Sequence, residues 1–385
     1  MWLGEVTPNW RGEKLMRRPL RNILATAALA VGLAAAPPGG AYASGTGYVQ
    51  KNLISDTSAI PAVHHDLTLL NPWGVAFFPG APLWINDNNA GLSALYNGDG
   101  SVAFGPGPIA PAVTIPLPKG GTGKAAPTGI VADTSSNFVL HDHNPAAFIF
   151  ATEDGTISGW DGSLGIPGTA ELEVDNSTKH CSNGATGAVY KGLAEGVNAS
   201  GVFLYATNFR CATVDVFDGN FMPHKLSGNF HDSYIPYGFA PFGIANINGN
   251  LVVTYAKQNA QKHDDVAGPG NGFVDIFDTN GNLIERFAQH GVLNSPWGIA
   301  QAPFNFGQFS NDILIGNFGN GWINAFRINR SFHGTLTDTS YNPIAIDGLW
   351  SIVFGGASAS SPSTLYFTSG PNGEADGLVG TLTPQ

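Results

Sequence analysis

Acidic, amide and histidine side chains follow several short apolar segments of this sequence. The candidate ligand-binding residues of this kind are Asn86, Asp87, Glu153, Asn208, His263 and Asn317. Carboxylate and amide oxygens suit Ca²⁺, whereas histidines beside carboxylates suit Zn²⁺ or a general acid–base pair. Asp87, His263 and Asp264 are therefore the candidate metal ligands, although Asn and Asp also occur in turns for purely conformational reasons.

Two tryptophans and a glutamate are further candidates. Trp73 and Trp297 stand at matching positions just before apolar runs, where they either pack together or offer a stacking surface to a carbohydrate. Glu195 falls inside an apolar run, and Asp133 stands at the matching position of another run. A glutamate in that place could bind a metal, act as a base or bond a buried water.

Motifs that define common enzyme classes are missing from the sequence. No G-x-S-x-G segment occurs with defensible triad partners. The glycine-rich segment 120–124 ends in Lys124 but lacks the spacing of a phosphate-binding loop. The residues alone therefore assign no reaction.

The elements that must position these residues form a repeat. Each copy starts with a Pro or aromatic residue, which is followed by Gly and an aliphatic residue. A second apolar strand, a polar loop and a third strand with an aromatic residue near its end come next. The copies are centred on Gly74, Gly129, Gly192, Gly243, Gly298 and Ser351. Their spacing of 51 to 63 residues and their β-branched and aromatic strands predict an all-β, six-bladed β-propeller.

The two ends of the chain are expected to share one blade. The last copy ends at its third strand, within 377–382, while the segment 48–54 has a strand pattern and precedes the first copy. We expect this N-terminal segment to be the outer strand of the last blade, because closure leaves no free sheet edge. The segments 113–117, 282–287 and 334–338 are candidate fourth strands of other blades.

The repeat resembles that of NHL propellers. The similarity lies in PWGIA at 296–300, LIGN at 314–317 and WINAF at 322–326. NPWG at 71–74, followed by LWINDNNAG at 83–91, resembles a family of uncharacterised bacterial secreted propellers. This resemblance implies the fold and export, but no activity.

Propeller topology sorts the loops into two faces. We define the front face by the loops that enter each inner strand and by those between the second and third strands; the other loops form the back face. The ligand candidates named above fall in front-face loops. Cys181 and Cys211 also lie there, in the third blade, so a disulfide is favoured over two separate thiols.

The N-terminal segment has the order of a secretory signal peptide. Basic residues from Arg17 to Arg21 precede an apolar run at 23–36 and a small-residue cleavage site at 41–43. We therefore predict an upstream extension and signal peptide at 1–43, a single propeller domain at 44–385, and a secreted or periplasmic location. A membrane anchor formed by the apolar run is the alternative.

Charge limits the partners of the mature chain. Without residues 1–43, which carry five basic and two acidic residues, 12 basic and 26 acidic residues remain, a net charge of −14. Such a surface repels nucleic acid and anionic lipid, and no membrane span is expected in the mature chain. A monomer that binds a small molecule, glycan or protein, or serves as a scaffold, is the first hypothesis. The alternative is a Ca²⁺- or Zn²⁺-dependent hydrolase or lyase with its site on the front face of the channel.

Overall fold

The computed structural model describes residues 47–105, 107–358 and 360–385. The described residues belong to one compact unit. Six mainly antiparallel sheets are its blades, and the inner strands of successive blades contact each other in a closed ring. The predicted six-bladed, all-β propeller is therefore confirmed. The extension and signal peptide predicted at 1–43 lie outside the described residues.

The strands of the blades follow one another from the channel outwards. In blades 1 to 3 they are Pro72–Ala76, Leu83–Asp87, Leu92–Tyr96 and Ala112–Thr114; Pro127–Ala132, Phe148–Thr152, Thr156–Trp160 and Glu171–Asp175; and Tyr190–Asn198, Gly201–Asn208 and Thr213–Asp218. In blades 4 and 5 they are Phe239–Ile247, Asn250–Lys257, Phe273–Asp278 and Leu283–Gln289; and Pro296–Gln301, Ile313–Asn317, Ile323–Phe326 and Phe332–Thr335. Blade 6 consists of Leu349–Phe354, Leu365–Ser369, Leu378–Pro384 and Tyr48–Ser55. Blade 3 has three strands among the described residues, where four were expected.

The remaining regular elements are short. The strand His64–His65 pairs in parallel with Tyr48–Ser55, and Gly168–Thr169 pairs in parallel with Ala112–Thr114. Single helical turns occur at Gly162–Leu164, Gly307–Phe309 and Pro371–Glu374. None of the helices among the described residues has the length and apolar character needed to cross a membrane.

The N-terminal strand closes the ring as predicted. Tyr48–Ser55 pairs antiparallel with Leu378–Pro384, the third strand of blade 6. The N–H of Gln385 then donates to the carbonyl of Gly47 at 3.2 Å. The last blade thus takes its outer strand from the other end of the chain.

Apolar side chains fill the spaces between blades. Among the described residues, six clusters each join two neighbouring blades, and a seventh lies on the axis of the ring. In the cluster between blades 1 and 2, for example, Trp84 stacks on Phe148 with ring centroids 4.2 Å apart. Each sheet therefore buries both of its faces, which explains the long apolar runs in its inner strands.

The repeat glycines are needed because successive inner strands approach closely. A Cβ on Gly74 would overlap the carbonyl oxygen of Thr128 in blade 2, and one on Gly243 would overlap that of Trp297 in blade 5. Every inner strand also has a register shift near this position. The repeated glycine therefore marks the position where each inner strand contacts the next one in the ring.

The predicted disulfide between Cys181 and Cys211 is present. It links the front-face loop before the inner strand of blade 3 to the loop after the second strand of that blade. These two strands are paired directly, with Tyr190 opposite Asn208. The bond therefore closes a loop between two cysteines that are 30 positions apart in the sequence.

Replacing both cysteines by serine is expected to lower the free energy of unfolding by about 2–4 kcal/mol, because the reduced unfolded chain gains conformational freedom. Urea unfolding of the double variant, compared with the oxidised parent and with the parent under reductant, measures the change. Equal midpoints for the oxidised parent and the variant would contradict this expectation.

Candidate functional site

Two predicted ligand residues support the blades instead of facing solvent. Asn208 Oδ1 accepts the backbone N–H of Val189 at 3.3 Å, and Asn317 Oδ1 accepts that of Asn294 at 3.2 Å. Both side chains are fully buried. In blades 3 and 5, the residue that ends the second strand therefore ties down the connector leading into the inner strand. This is the conformational role that polar loop residues often have.

Asn86 and Asp87 are also fully buried, in blade 1. Asn86 Nδ2 donates to the carbonyls of Thr128 and Gly129 at 3.1 and 3.2 Å, linking blade 1 to blade 2. Neither oxygen of Asp87 has a hydrogen-bond partner among the described residues. Burial, and then the charge of Asp66, raise the pKa of Asp87 well above its usual value. Burial therefore disfavours the charged form of Asp87.

Three other acidic and imidazole groups do meet on the front face. The ligand atoms of Glu153, His263 and Asp264 lie within 4.8 Å of one another. Glu153, and not Asp87, thus joins the predicted pair of His263 and Asp264. The His263 Nδ1–Asp264 Oδ1 distance is 2.6 Å, and this hydrogen bond is the main cause that lowers the pKa of Asp264.

Lys191 lies among these acids, with 3% of its side chain exposed. Its Nζ contacts Glu153 Oε1 and lies 3.7 Å from Asp264 Oδ1. The same nitrogen lies 5.1 Å from the ring centroid of Trp73 and 5.9 Å from that of Phe209, a cation–π arrangement. An ammonium group of the protein therefore places a positive charge between two of these carboxylates.

Large side chains close the front half of the channel. They come from the positions just before the repeat glycines and Ser351, which hold Trp73, Thr128, Lys191, Phe242, Trp297 and Trp350. Trp73 stacks on Trp350 with centroids 3.4 Å apart, and Trp297 meets both edge-on at 5.9 and 5.8 Å. Trp73 is 1% and Trp297 8% exposed, so the two pack together and leave no open surface for a carbohydrate on the front face.

The back half of the channel is a cavity of about 580 Å³. Inner-strand residues beyond the repeat glycines form its walls, and most are apolar, including Ile130, Leu193 and Ile352. Trp297 lines the end nearest the front face, whereas Phe354 lies near the back opening and is only half-buried. An apolar cavity of this volume is typical of small-molecule sites.

One carboxyl group lies in the wall of this cavity, and a second lies beside it. Glu195 lines the cavity, and its carboxyl group lies within hydrogen-bonding reach of that of Asp133, the residue that directly follows the inner strand of blade 2. Burial is the main cause, and the charge of Asp133 a second one, that raise the pKa of Glu195 to about 7. Asp133 is itself held by the backbone N–H of Ser135 at 2.6 Å. Two carboxylates so close are stabilised when they share one proton.

Glu195→Gln is expected to raise the melting temperature at about pH 8 and to leave it nearly unchanged at about pH 4. The folded-state pKa of about 7 exceeds the ordinary value of 4.5. The stability contributed by the neutral Glu195 side chain is therefore complete below pH 4.5 and is lost as the pH rises through 7. The glutamine side chain cannot ionise, so the variant does not lose this stability at high pH. Thermal unfolding across this range measures the difference, and Glu285→Gln, in a surface ion pair with Arg330, is the control. An increase in melting temperature that is the same at every pH would contradict the raised pKa of Glu195.

The cavity and Lys191 were not singled out from the sequence. Glu195 and Asp133 stood at matching inner-strand positions, but nothing indicated that this half of the channel stays open. The sequence signal that could have indicated Lys191 lies in the residues that directly precede the repeat glycines and Ser351. Lys191 is the one cation among them and interrupts a largely aromatic set.

No protein-family profile matches the chain. It is similar to uncharacterised proteins of Acanthamoeba polyphaga mimivirus. One is 29% identical over 330 residues, which cover 83% of this chain and 76% of that protein; a second is 29% identical over 339 residues, covering 86% and 84%. These relatives are viral, and the bacterial source implied by the resemblance has no support among them.

Solved structures similar to the chain include a streptogramin B lyase and a PQQ-bound aldose sugar dehydrogenase from Streptomyces coelicolor. The lyase is 12% identical with a TM-score of 0.49, covering 88% of this chain and 97% of that one. The dehydrogenase is 12% identical with a TM-score of 0.47, covering 88% and 98%. At this identity the likeness extends to the fold alone.

Proposed function

We propose that this propeller is a binding protein that takes a small molecule into the back half of its central channel. The single observation that carries the proposal is the cavity of about 580 Å³, whose walls are mostly apolar and hold one carboxyl group, that of Glu195, among the described residues. Such a combination of apolar surface and few polar groups favours binding with a defined orientation. The closed front half, with its tryptophans, makes the cavity a blind pocket with its opening on the back face.

The neutral fluorescent probe N-phenyl-1-naphthylamine tests this proposal. We expect saturable binding with one site per chain, accompanied by quenching of tryptophan fluorescence, because Trp297 lines the cavity. Ala245→Phe, which adds a ring to the cavity wall, should weaken binding at least tenfold, about 1.4 kcal/mol. Ala199→Phe, on an exposed turn, is the matched control. Absence of saturable binding, or equal binding by both variants, would overturn the proposal.

A metal-dependent hydrolase or lyase with its site on the front face is the second candidate. The approach of Glu153, His263 and Asp264 to within 4.8 Å favours it, and histidine with two carboxylates is a set that Zn²⁺ accepts. Metal analysis of the purified protein tests this function. Stoichiometric Zn²⁺ or Ca²⁺ that is lost in His263→Ala would support it. A metal-free protein whose melting temperature does not change in chelator would reject it.

We also infer that the chain is exported and that residues 44–385 are the mature propeller. The disulfide of blade 3 fits an oxidising compartment, and the composition of residues 1–43 is that of a signal peptide. Mass spectrometry of the protein recovered from cells tests both. Cleavage after residue 43, with the mature chain outside the cytoplasm, is the expected result; an uncleaved chain in the cytoplasm would contradict it.

A further inference from the structure

The carboxyl pair of the channel suggests which small molecules the cavity accepts. We propose that the cavity selects apolar molecules carrying an amine, whose ammonium group binds to Glu195, beside Asp133. This inference rests on the proposed function, since it requires that the channel takes a ligand. It adds the chemical class of that ligand and a proton exchange on binding.

The electrostatics of the wall favour a cation. Glu195 is the one ionisable residue among the described residues that line the cavity, and the charge that acts on it comes from Asp133. No lysine or arginine belongs to that lining. One oxygen of Glu195, Oε2, is buried and has no hydrogen-bond partner among the described residues. When the Glu195 carboxyl group is ionised, an ammonium group of the ligand would supply the donors and the positive charge that its surroundings lack.

Aromatic rings at the two ends of the cavity add to this preference. Trp297 lies at the closed end, and Phe77 and Phe354 lie near the opening. Aromatic faces attract cations, most strongly where water is excluded. The walls between them are aliphatic, so the remainder of the ligand should be apolar. Asn246 from blade 4 donates to the backbone carbonyl of Glu195 at 2.9 Å, which holds the strand of that glutamate in place.

Binding of an ammonium group should release a proton. Without ligand, the pair holds one shared proton below the Glu195 pKa of about 7. When the ammonium group binds, both carboxylates can ionise, because the ligand supplies the positive charge that the shared proton had provided. The proton of the pair passes to solvent, and the amine keeps its own three. Binding of a neutral molecule involves no such exchange.

Three probes with one skeleton test the inference: 4-phenylbutylamine, 4-phenyl-1-butanol and 4-phenylbutyrate. We expect the amine to bind at least tenfold more tightly than the alcohol and the carboxylate to bind most weakly. Calorimetry at about pH 6 in two buffers of different ionisation enthalpy should show release of about one proton for the amine and none for the alcohol.

Variants show whether the pair is responsible. Glu195→Gln and Asp133→Asn should each remove the tenfold preference for the amine and the proton release, with little change in alcohol binding. Glu285→Gln removes one negative charge outside the channel and should change neither. The proton count separates recognition by the pair from a general attraction between an amine and an acidic protein.

The outcomes distinguish this inference from the proposed function. If the alcohol and the amine bind equally, or the amine binds without proton release, the inference is wrong but the binding function stands. If N-phenyl-1-naphthylamine and all three probes fail to bind, the binding function fails and the inference with it. If the carboxylate binds most tightly, the assignment of charge in the cavity is reversed.

Discussion

Gly243→Val is expected to lower the free energy of unfolding by about 3 kcal/mol or more, the upper end of the range for overpacking. A Cβ at this position would overlap the carbonyl oxygen of Trp297 and lie 2.9 Å from Thr254 Oγ1. The oxygen belongs to the backbone of blade 5, so it cannot move without shifting the inner strand. Valine favours strands over glycine by only about 1 kcal/mol, and the steric cost exceeds that gain.

Urea unfolding of Gly243→Val measures this loss. The control is Gly162→Ala, since a Cβ on Gly162 meets nothing within 4 Å; it should change stability by less than about 0.5 kcal/mol. If both variants unfold at the same midpoint, close approach of the inner strands is not what requires glycine in the repeat. A variant that fails to fold while the control folds agrees with the expectation.

Lys191→Met is expected to cost about 3–5 kcal/mol, the usual loss when one partner of a buried ion pair is removed. Only 12% of the Glu153 side chain is exposed, and in the variant it keeps a single side-chain donor, Asn88 Nδ2 at 3.1 Å. Methionine would pack well against the neighbouring aromatic rings, worth about 1 kcal/mol. The cost of leaving the Glu153 charge uncompensated exceeds this gain, so the variant is expected to be less stable than the parent.

Lys179→Met is the matched control for this variant. Lys179 Nζ lies 2.6 Å from Asp215 Oδ2, but 36% of the lysine side chain is exposed. Asp215 also keeps hydrogen bonds from Tyr190 and Asn208. The control should therefore lose about 1 kcal/mol or less, and adding Glu153→Gln to Lys191→Met should restore most of the lost stability. Equal losses for the two lysine variants would contradict the role given to Lys191.

The ring could be predicted from the sequence because one local requirement recurs in it. Gly74 and Gly243 mark where each inner strand touches the next, so their spacing counts the blades. The shared last blade and the disulfide followed from the same topology. The sequence did not predict that blade 3 has only three strands among the described residues. Outer strands lie far from the axis, and no close contact with a neighbouring blade requires a glycine in them.

The open part of the channel could not be predicted from the same pattern. Whether a channel is filled depends on the combined volume of six side chains from distant parts of the chain, as the stacking of Trp73 on Trp350 shows. The contact between Lys191 and Glu153 joins two blades and has no signature in either repeat. The placement of Asp87 depended on which neighbours surround the end of its strand, and strand periodicity does not contain that information.

The pairing of Tyr48–Ser55 with Leu378–Pro384 has a consequence for biosynthesis. The earliest-translated strand of the propeller cannot find its partner until the ribosome has finished the last one. The main strands of blades 1 to 5 follow one another in the sequence, whereas blade 6 cannot be completed until Leu378–Pro384 has been synthesised. The ring is therefore the last part of the fold to close, and removal of either Tyr48–Ser55 or Leu378–Pro384 would leave the same sheet unfinished.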